Sequence, residues 1–329
     1  MEAVMKFLVT GGAGYVGSVM TSQLIAEGHE TTVLDNLVKG HRQAIPAKAH
    51  FIDCSLLDLP RLKQILRAGF DGVLHFAALS LVGESVSQPE RYYRNNVVGT
   101  LNLLDAMREA RVPRLVFSST AAVYGAPEES PILETAVTRP TNPYGGSKLA
   151  IDQMIGFEAA AHGLAAVSLR YFNVAGASGN LGEVHHPETH LIPLVLRVAA
   201  GRRESVEVFG TDYPTPDGTA IRDYIHVEDL ARAHMLALNA VQPGEHRIYN
   251  LGNGKGFSVR EVIETARQVT GVLISAVDAG RRAGDPPVLV ASSEKIQREL
   301  GWHPEKPELT TMIEDAWDWL QAHPRGYDS

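Results

Sequence analysis

Apolar residues gather along this chain in short runs, and between the runs they recur every three to four positions. KFLVT (6–10), TTVLD (31–35), GVLHF (72–76), RLVFS (114–118) and AAVSLR (165–170) are the runs. Their length and their content of β-branched and aromatic residues predict buried strands. The intervening stretches have a helical period. In 95–110, for example, Val97, Leu101, Leu104 and Met107 recur at helical spacing, which predicts a helix packed on the sheet. Strands that alternate with helices predict an α/β, doubly wound parallel sheet covered on both faces.

Beyond about Tyr171 the rhythm breaks. GASGNLGEVHHPETH (176–190) and GTDYPTPDGT (210–219) are rich in Gly, Pro and His and read as loops, a common setting for ligand contacts. A helix over 227–240 and the short strand RIYNLG (247–252) resume the first pattern, and a helix over 309–322 follows near the end. The expected organisation is a first domain over 1–172, to which 224–252 returns, and a smaller mixed α/β domain over 173–329, discontinuous in sequence. There is no internal repeat.

Composition changes this picture little. A chain of 329 residues exceeds what one core serves well, and 44% hydrophobic with 21% charged residues excludes collagen-like, disordered and disulfide-dense classes. The net charge of -8 is spread without a run of one sign, which argues against a nucleic-acid partner. Cys54 is the single cysteine, which excludes an intrachain disulfide and a cysteine zinc site. No apolar stretch reaches the roughly 18 residues of a membrane span, and the first residues lack the pattern of a secretory signal. A cytoplasmic protein with no membrane partner is the expectation.

The candidate chemistry begins at Gly11, Gly14 and Gly17, which follow a strand and open a helix. Glycines there permit the tight turn and close backbone approach by which a helix N-terminus meets a pyrophosphate. Asp35 ends the second strand at about the 20-residue offset where a carboxylate accepts the hydroxyls of an adenosine ribose. It would repel a 2'-phosphate, so NAD is favoured over NADP, although Lys39 and Arg42 lie close by. Further along, Asn142-Pro143-Tyr144-Gly145-Gly146-Ser147-Lys148 reads as a helix start that puts Tyr144 and Lys148 on one face. An ammonium about 5 Å from the phenol, at an effective dielectric near 20, would lower the tyrosine pKa by roughly 2 units. Ser118-Ser119-Thr120 ends a strand, where hydroxyls emerge at the carboxyl edge of the sheet.

TGGAGYVGS, LDNL, VLHFAALSLVGESV, YYRNNVVGTLNLLDAM, FSSTAAVYG, NPYGGSK, LRYFNVAGA, VFGTDYPTPDGTAIRDYIHVEDLARAH, RRAGD and HPRGY occur in this order. In these segments the chain resembles the extended short-chain dehydrogenases/reductases of the Rossmann type, and among them the UDP-hexose 4-epimerases, over nearly its full length. The resemblance implies Tyr144, Lys148 and Thr120 as catalytic residues. It implies NAD contacts at Gly11, Gly14, Tyr15, Val16, Gly17, Asp35, Asn36, Lys39, Gly40, Ser55, Leu56, Phe76, Ala77, Ala78, Asn95 and Phe172, besides Tyr144 and Lys148. For a UDP-sugar it implies Thr120, Asn173, His190, Leu191, Glu207, Phe209, Arg222, Arg282, Asp285 and Leu289, with arginines suited to a diphosphate. Ser55 stands where an acidic residue is common in the family, Ser80 where some members have lysine, and Leu289 where others carry Tyr or Cys, a position that bears on sugar size.

The implied cycle interconverts UDP-galactose and UDP-glucose. Tyr144 takes the 4-hydroxyl proton, hydride passes to NAD, and the 4-keto sugar turns over before the hydride returns. Epimerisation of other UDP sugars, N-acetylated or pentose, is the alternative, and a nonenzymatic NAD-binding regulator a remoter one. A 4,6-dehydratase needs acid/base carboxyls beside the threonine, where Ala121 and Ala122 stand. His185, His186 and His190 have no helix to hold them in a ligand geometry, so no metal is expected. The resemblance also implies a homodimer, in which the tyrosine helix and the helix after YYRNN pack against their counterparts, and both keep apolar residues on more than one face, including Leu149, Ile151, Met154 and Ile155.

Overall fold

The computed structural model describes residues 3–282 and 285–328. Its strands are β1 Lys6–Thr10, β2 Glu30–Asp35, β3 His50–Asp53, β4 Gly72–His75, β5 Arg114–Thr120, β6 Ala165–Tyr171, β7 Asn173–Ala175, β8 Val206–Phe209, β9 Ile221–Arg222, β10 Tyr224–His226, β11 His246–Leu251, β12 Phe257–Ser258, β13 Ala276–Ala279 and β14 Val288–Leu289. The helices are α1 Tyr15–Ala26, α2 Leu59–Leu66, α3 Val82–Ser87, α4 Pro89–Tyr92, α5 Gly99–Ala110, α6 Pro143–His162, α7 Leu191–Ala199, α8 Val227–Ala240, α9 Val259–Thr270, α10 Glu294–Leu300 and α11 Leu309–Ala322.

Two compact units share the chain. The first contains Met1–Gly125, Thr138–Arg170 and Ala231–Tyr249, and the second Ala126–Val137, Tyr171–Leu230 and Asn250–Ser329. The segment Ala126–Val137, within the residues expected for the first domain, thus belongs to the second unit. Each unit has its own core: Leu8, Leu34, Leu62, Phe117, Ile151 and Ile155 are central to the first, and Val195, Val208, Ile263, Met312 and Ile313 to the second.

The first unit is built on a seven-stranded sheet in the order β11-β6-β5-β4-β1-β2-β3. β1 pairs in parallel with both β2 and β4, and so do β2 with β3 and β4 with β5. This is the doubly wound Rossmann order, which reverses between β1 and β4 and opens a crevice at their carboxyl ends. The apolar runs become strands because they are buried on both faces, as Phe7, Leu8 and Val9 and then Val73 and Leu74 are. β3, sequence HFID, gave no such run, since His50 is exposed and Phe51 and Ile52 are only half-buried at the sheet edge.

Helix starts follow local chemistry. α6 begins at Pro143, where the Asn142 side chain accepts the N–H of Gly145 at 2.9 Å, and ends at Gly163 in the left-handed conformation. The helix expected over 95–110 differs in two respects. It opens with a π-helical turn, Tyr93–Val98, before α5, and Leu101 points outward while Leu103, Leu104, Ala106 and Met107 are buried. Asn96 anchors that turn: its carboxamide bonds both backbone groups of Leu79 and the hydroxyl of Ser147.

The second unit is made of smaller pieces, with β12-β9-β14, β10-β7 and β13-β8 as separate short sheets. α9 is fixed by a capping box between Ser258 and Glu261.

Candidate functional site

Glycines shape the crevice end of the first unit. Gly11 has φ +73° and donates its N–H to the Leu34 carbonyl at 2.8 Å; a Cβ there would lie 2.5 Å from the Ala77 nitrogen. A Cβ on Gly17 would overlap the Gly11 carbonyl oxygen. Only glycine allows β1, α1 and the chain after β4 to meet so closely. The first helical residue of α1 is Tyr15, its N-cap Gly14 offers no side chain, and its first turn has no acidic residue. No side chain caps the positive end of the helix dipole, a setting that suits an anion.

Asp35 is buried at the end of β2. Its Oδ2 accepts the Ala13 N–H at 3.1 Å and its Oδ1 the Leu37 N–H at 2.9 Å. Burial raises its pKa, and these backbone donors oppose the rise. The carboxylate thus shapes the glycine loop through three backbone donors, Ala13, Leu37 and Asn36, and keeps a lone pair for a ribose hydroxyl. Gly40 packs on the same loop, where a Cβ would meet Ala13 and Asp35. Arg42 lies over the Phe51 ring at 4.0 Å, which engages one of the two cations that left NADP open. The Ser55 hydroxyl accepts the Leu57 N–H at 3.2 Å and so forms the turn after β3, and Leu56 is buried. Phe76 meets the His234 ring at 4.8 Å, Asn95 donates to Asn96, and Phe172 falls in the second unit. The glycine cradle, the uncapped helix start and Asp35 fit a dinucleotide.

Thr120 closes β5, and Tyr144 lies in the first turn of α6. The Thr120 side chain hydrogen-bonds Tyr144 and also accepts the Ala122 N–H at 3.2 Å. Lys148 is buried, donates to the Ser118 carbonyl at 2.7 Å and lies over the Phe117 ring at 4.7 Å. The electrostatics correct the expectation from spacing. Burial pushes the Tyr144 hydroxyl up, with only the Thr120 bond opposing, and burial pulls Lys148 down to about 7 against the charge of Asp152. Desolvation outweighs the lysine's influence because the lysine pays the same penalty and turns its ammonium to a carbonyl.

Sequence reasoning missed the support behind this pair. Asp152 is buried, accepts from Ser119 at 3.1 Å and from Arg170 at 3.0 Å, and Arg170 reaches the Tyr124 hydroxyl at 3.0 Å. Asp152 is four residues beyond Lys148 on α6, so the helical period carried a signal for it.

In the second unit, Arg282 lies over the Phe209 ring at 3.9 Å, and an Arg222 nitrogen is 3.3 Å from an Asp285 oxygen. Leu289, on β14, is the register partner of Arg222 on β9 and is half-buried. Asn173 donates its side-chain N–H to the Asp223 carbonyl at 2.9 Å. Glu207 is exposed on β8, 3.7 Å from Arg203. Ala283 and Gly284 of the RRAGD segment lie outside the described residues.

His190 and Leu191 stand at the start of α7, and here the structure departs from expectation. No helix is needed to gather the histidines: Glu183, His185, Glu188 and His190 each place one ligand-type atom within 4.8 Å of the others. His186 is not in the group.

A doubly wound sheet with a glycine cradle, an acidic residue closing its second strand and a Thr–Tyr contact beside a buried lysine defines a dinucleotide-dependent enzyme of the short-chain type. Residues 7–252 match the model of the NAD dependent epimerase/dehydratase family, and the chain belongs to that family. It is 59% identical over 325 residues to the UDP-glucose 4-epimerase of Streptomyces lividans, covering 98% of each chain. It is also similar to the crystal structure of UDP-glucose 4-epimerase from Brucella ovis in complex with NAD, at a TM-score of 0.92 and 45% identity over 96% of this chain and 98% of that one. The structure of UDP-glucose 4-epimerase from Bifidobacterium longum in complex with NAD+ and UDP matches at a TM-score of 0.92 and 37% identity over 98% and 99%.

Proposed function

We propose that this chain is an NAD-dependent 4-epimerase that interconverts UDP-galactose and UDP-glucose. The contact between Thr120 and Tyr144, in the unit whose glycine loop fits a pyrophosphate, carries this reading. Gly11, Gly14 and Gly17 with the first N–H groups of α1 would hold the cofactor's pyrophosphate, and Asp35 a ribose. Bound NAD supplies what no side chain has, a reversible hydride acceptor at C4 of the sugar, together with a nicotinamide cation whose charge favours a phenolate.

Tyr144, with its hydroxyl held above the ordinary value by burial, is a poor base until positive charge is near it. Lys148 supplies such a charge when protonated, and Asp152, fixed by Arg170 and Ser119, favours that state. Tyr144 removes the proton of the 4-hydroxyl and returns it to the same oxygen after the sugar has turned over, while Thr120 hydrogen-bonds that oxygen. Ala121 and Ala122 follow Thr120 in a short 3₁₀ turn and can transfer no proton, which favours epimerisation over dehydration.

For the nucleotide sugar we assign Arg282 and Arg222 to the diphosphate, with Asn173, His190, Leu191, Glu207, Phe209 and Asp285 beside them and Leu289 toward the sugar. The buried free thiol of Cys54 suits a reducing cytoplasm, and no helix among the described residues is long and apolar enough to cross a membrane. A homodimer is part of the proposal. Ile151 and Ile155 serve the chain's own core, but Val98 and Leu101 are 44% exposed and Phe157 75% exposed, an apolar display that association would cover.

The test is incubation of purified protein with UDP-galactose and no added NAD. UDP-glucose should accumulate to an equilibrium mixture, and heat-denatured protein should release NAD. A requirement for continuous cofactor consumption would overturn the reading.

A further inference from the structure

The loop ahead of α7 contains a cluster of which the epimerase reading uses only His190. His185 Nδ1 lies 3.1 Å from Glu183 Oε1 and 3.8 Å from Glu188 Oε2, and His190 Nδ1 lies 2.5 Å from Glu183 Oε1 and 3.7 Å from Glu188 Oε1. The two imidazole rings stand nearly perpendicular, with centroids 5.1 Å apart, so both Nδ1 atoms converge on the two carboxylates. Metal–ligand bonds of about 2.0–2.1 Å in a tetrahedron put ligand atoms ~3.3 Å apart, and the observed separations bracket that value.

A second observation points to a cation. The Glu188 side chain is fully buried; its Oε1 accepts the N–H groups of Thr189 and His190, yet Oε2 has no hydrogen-bond partner. His185 Nδ1 faces this oxygen at 3.8 Å. The Arg197 guanidinium approaches Oε2 only to 3.9 Å, too far for a hydrogen bond. A buried carboxylate oxygen with no hydrogen-bond partner, facing an imidazole nitrogen, suits a shared divalent ion whose charge the two carboxylates neutralise.

We propose that Glu183, His185, Glu188 and His190 bind one zinc-class divalent cation. Two imidazole nitrogens with two carboxylate oxygens select such an ion over magnesium or calcium, which take oxygen ligands. Four side chains fill the tetrahedron, so the ion is structural and holds no reactive water. It ties Glu183 to His190 and so fixes the loop that leads into α7.

Full-length protein is stripped with a chelator, dialysed and titrated with zinc chloride against a chromophoric competitor. The expected result is one zinc per chain and a higher Tm, with no rise from magnesium or calcium. His185→Gln should remove the zinc-dependent rise. Glu188→Gln should weaken zinc at least ~10-fold, the lower end of what losing even an outer-shell partner costs a site. Failure of the parent protein to take up stoichiometric zinc overturns the proposal, as does a His185→Gln protein that binds as tightly as the parent or an equal response to calcium. If both variants fail to fold, the parent titration decides alone.

Discussion

The two units fix their functional side chains by different means. In the first, Thr120 ends a seven-residue strand and Tyr144 opens a twenty-residue helix, while Gly11 and Gly17 are held by backbone contacts that admit no Cβ. In the second, Arg222 and Leu289 sit on two-residue strands, and side chains steady one another, Arg222 with Asp285 and Arg282 with Phe209. Positions set by long elements respond to substitution in an all-or-none way. Positions set by mutual pairing respond by degrees, because one partner's loss leaves the backbone where it was.

Four changes would break or sharpen this contrast. Tyr144→Phe removes the base and should lower turnover at least ~100-fold with bound NAD retained; near-normal turnover would mean that another group takes the proton. Gly17→Ala forces a methyl onto the Gly11 carbonyl and should cost about 1–3 kcal/mol as overpacking does, seen as a lower Tm and purified protein depleted of NAD. A full NAD complement in that variant would show that the loop yields. Arg282→Leu should raise KM for UDP-galactose about tenfold, as expected for losing a hydrogen bond to a charged group, with kcat much less affected. A fall in kcat with unchanged KM would move Arg282 from binding to the chemical step.

The smallest effect concerns pH. Lys148 titrates near 7 in the folded chain against an ordinary 10.5, because burial penalises its charge. Its contribution to stability is fully present above 10.5 and is lost as pH falls through about 7. In NAD-free protein, Lys148→Met should therefore gain in Tm relative to the parent as pH is lowered from 10 to 6. An equal Tm difference at both ends would show that Lys148 is not held neutral by its surroundings.

The same contrast explains what was legible in the sequence. The runs at Lys6–Thr10 and Arg114–Thr120, the glycine spacing and the Asn-Pro-Tyr helix start are local signals that burial and capping enforce. Less was legible where position depends on partners distant in sequence. The depressed Lys148 depends on Phe117 and Ser118 as much as on its own helix, and Asp152 acquires its meaning from Arg170. The convergence of Glu183, His185, Glu188 and His190 was not legible because a loop can bring its side chains together with no periodicity to announce it. α5 shows the intermediate case: its period was clear, but the π-helical turn ahead of it was not, and Leu101 falls at the exposed flank of the buried face.

The interleaved chain path has a consequence for synthesis. The polypeptide passes between units after residues 125, 137, 170, 230 and 249, and β11, which completes the main sheet beside β6, is made from His246–Leu251. A ribosome that has released residues 1–171 has therefore made β1 to β6 in full while the β6 edge still lacks its neighbour. Pairing so far apart in sequence is slow to form, and an unpaired strand edge is a template for other chains. Between the emergence of β6 and of β11 the nascent chain is most open to aggregation, and a chain truncated anywhere from residue 172 to 245 keeps that edge exposed for good.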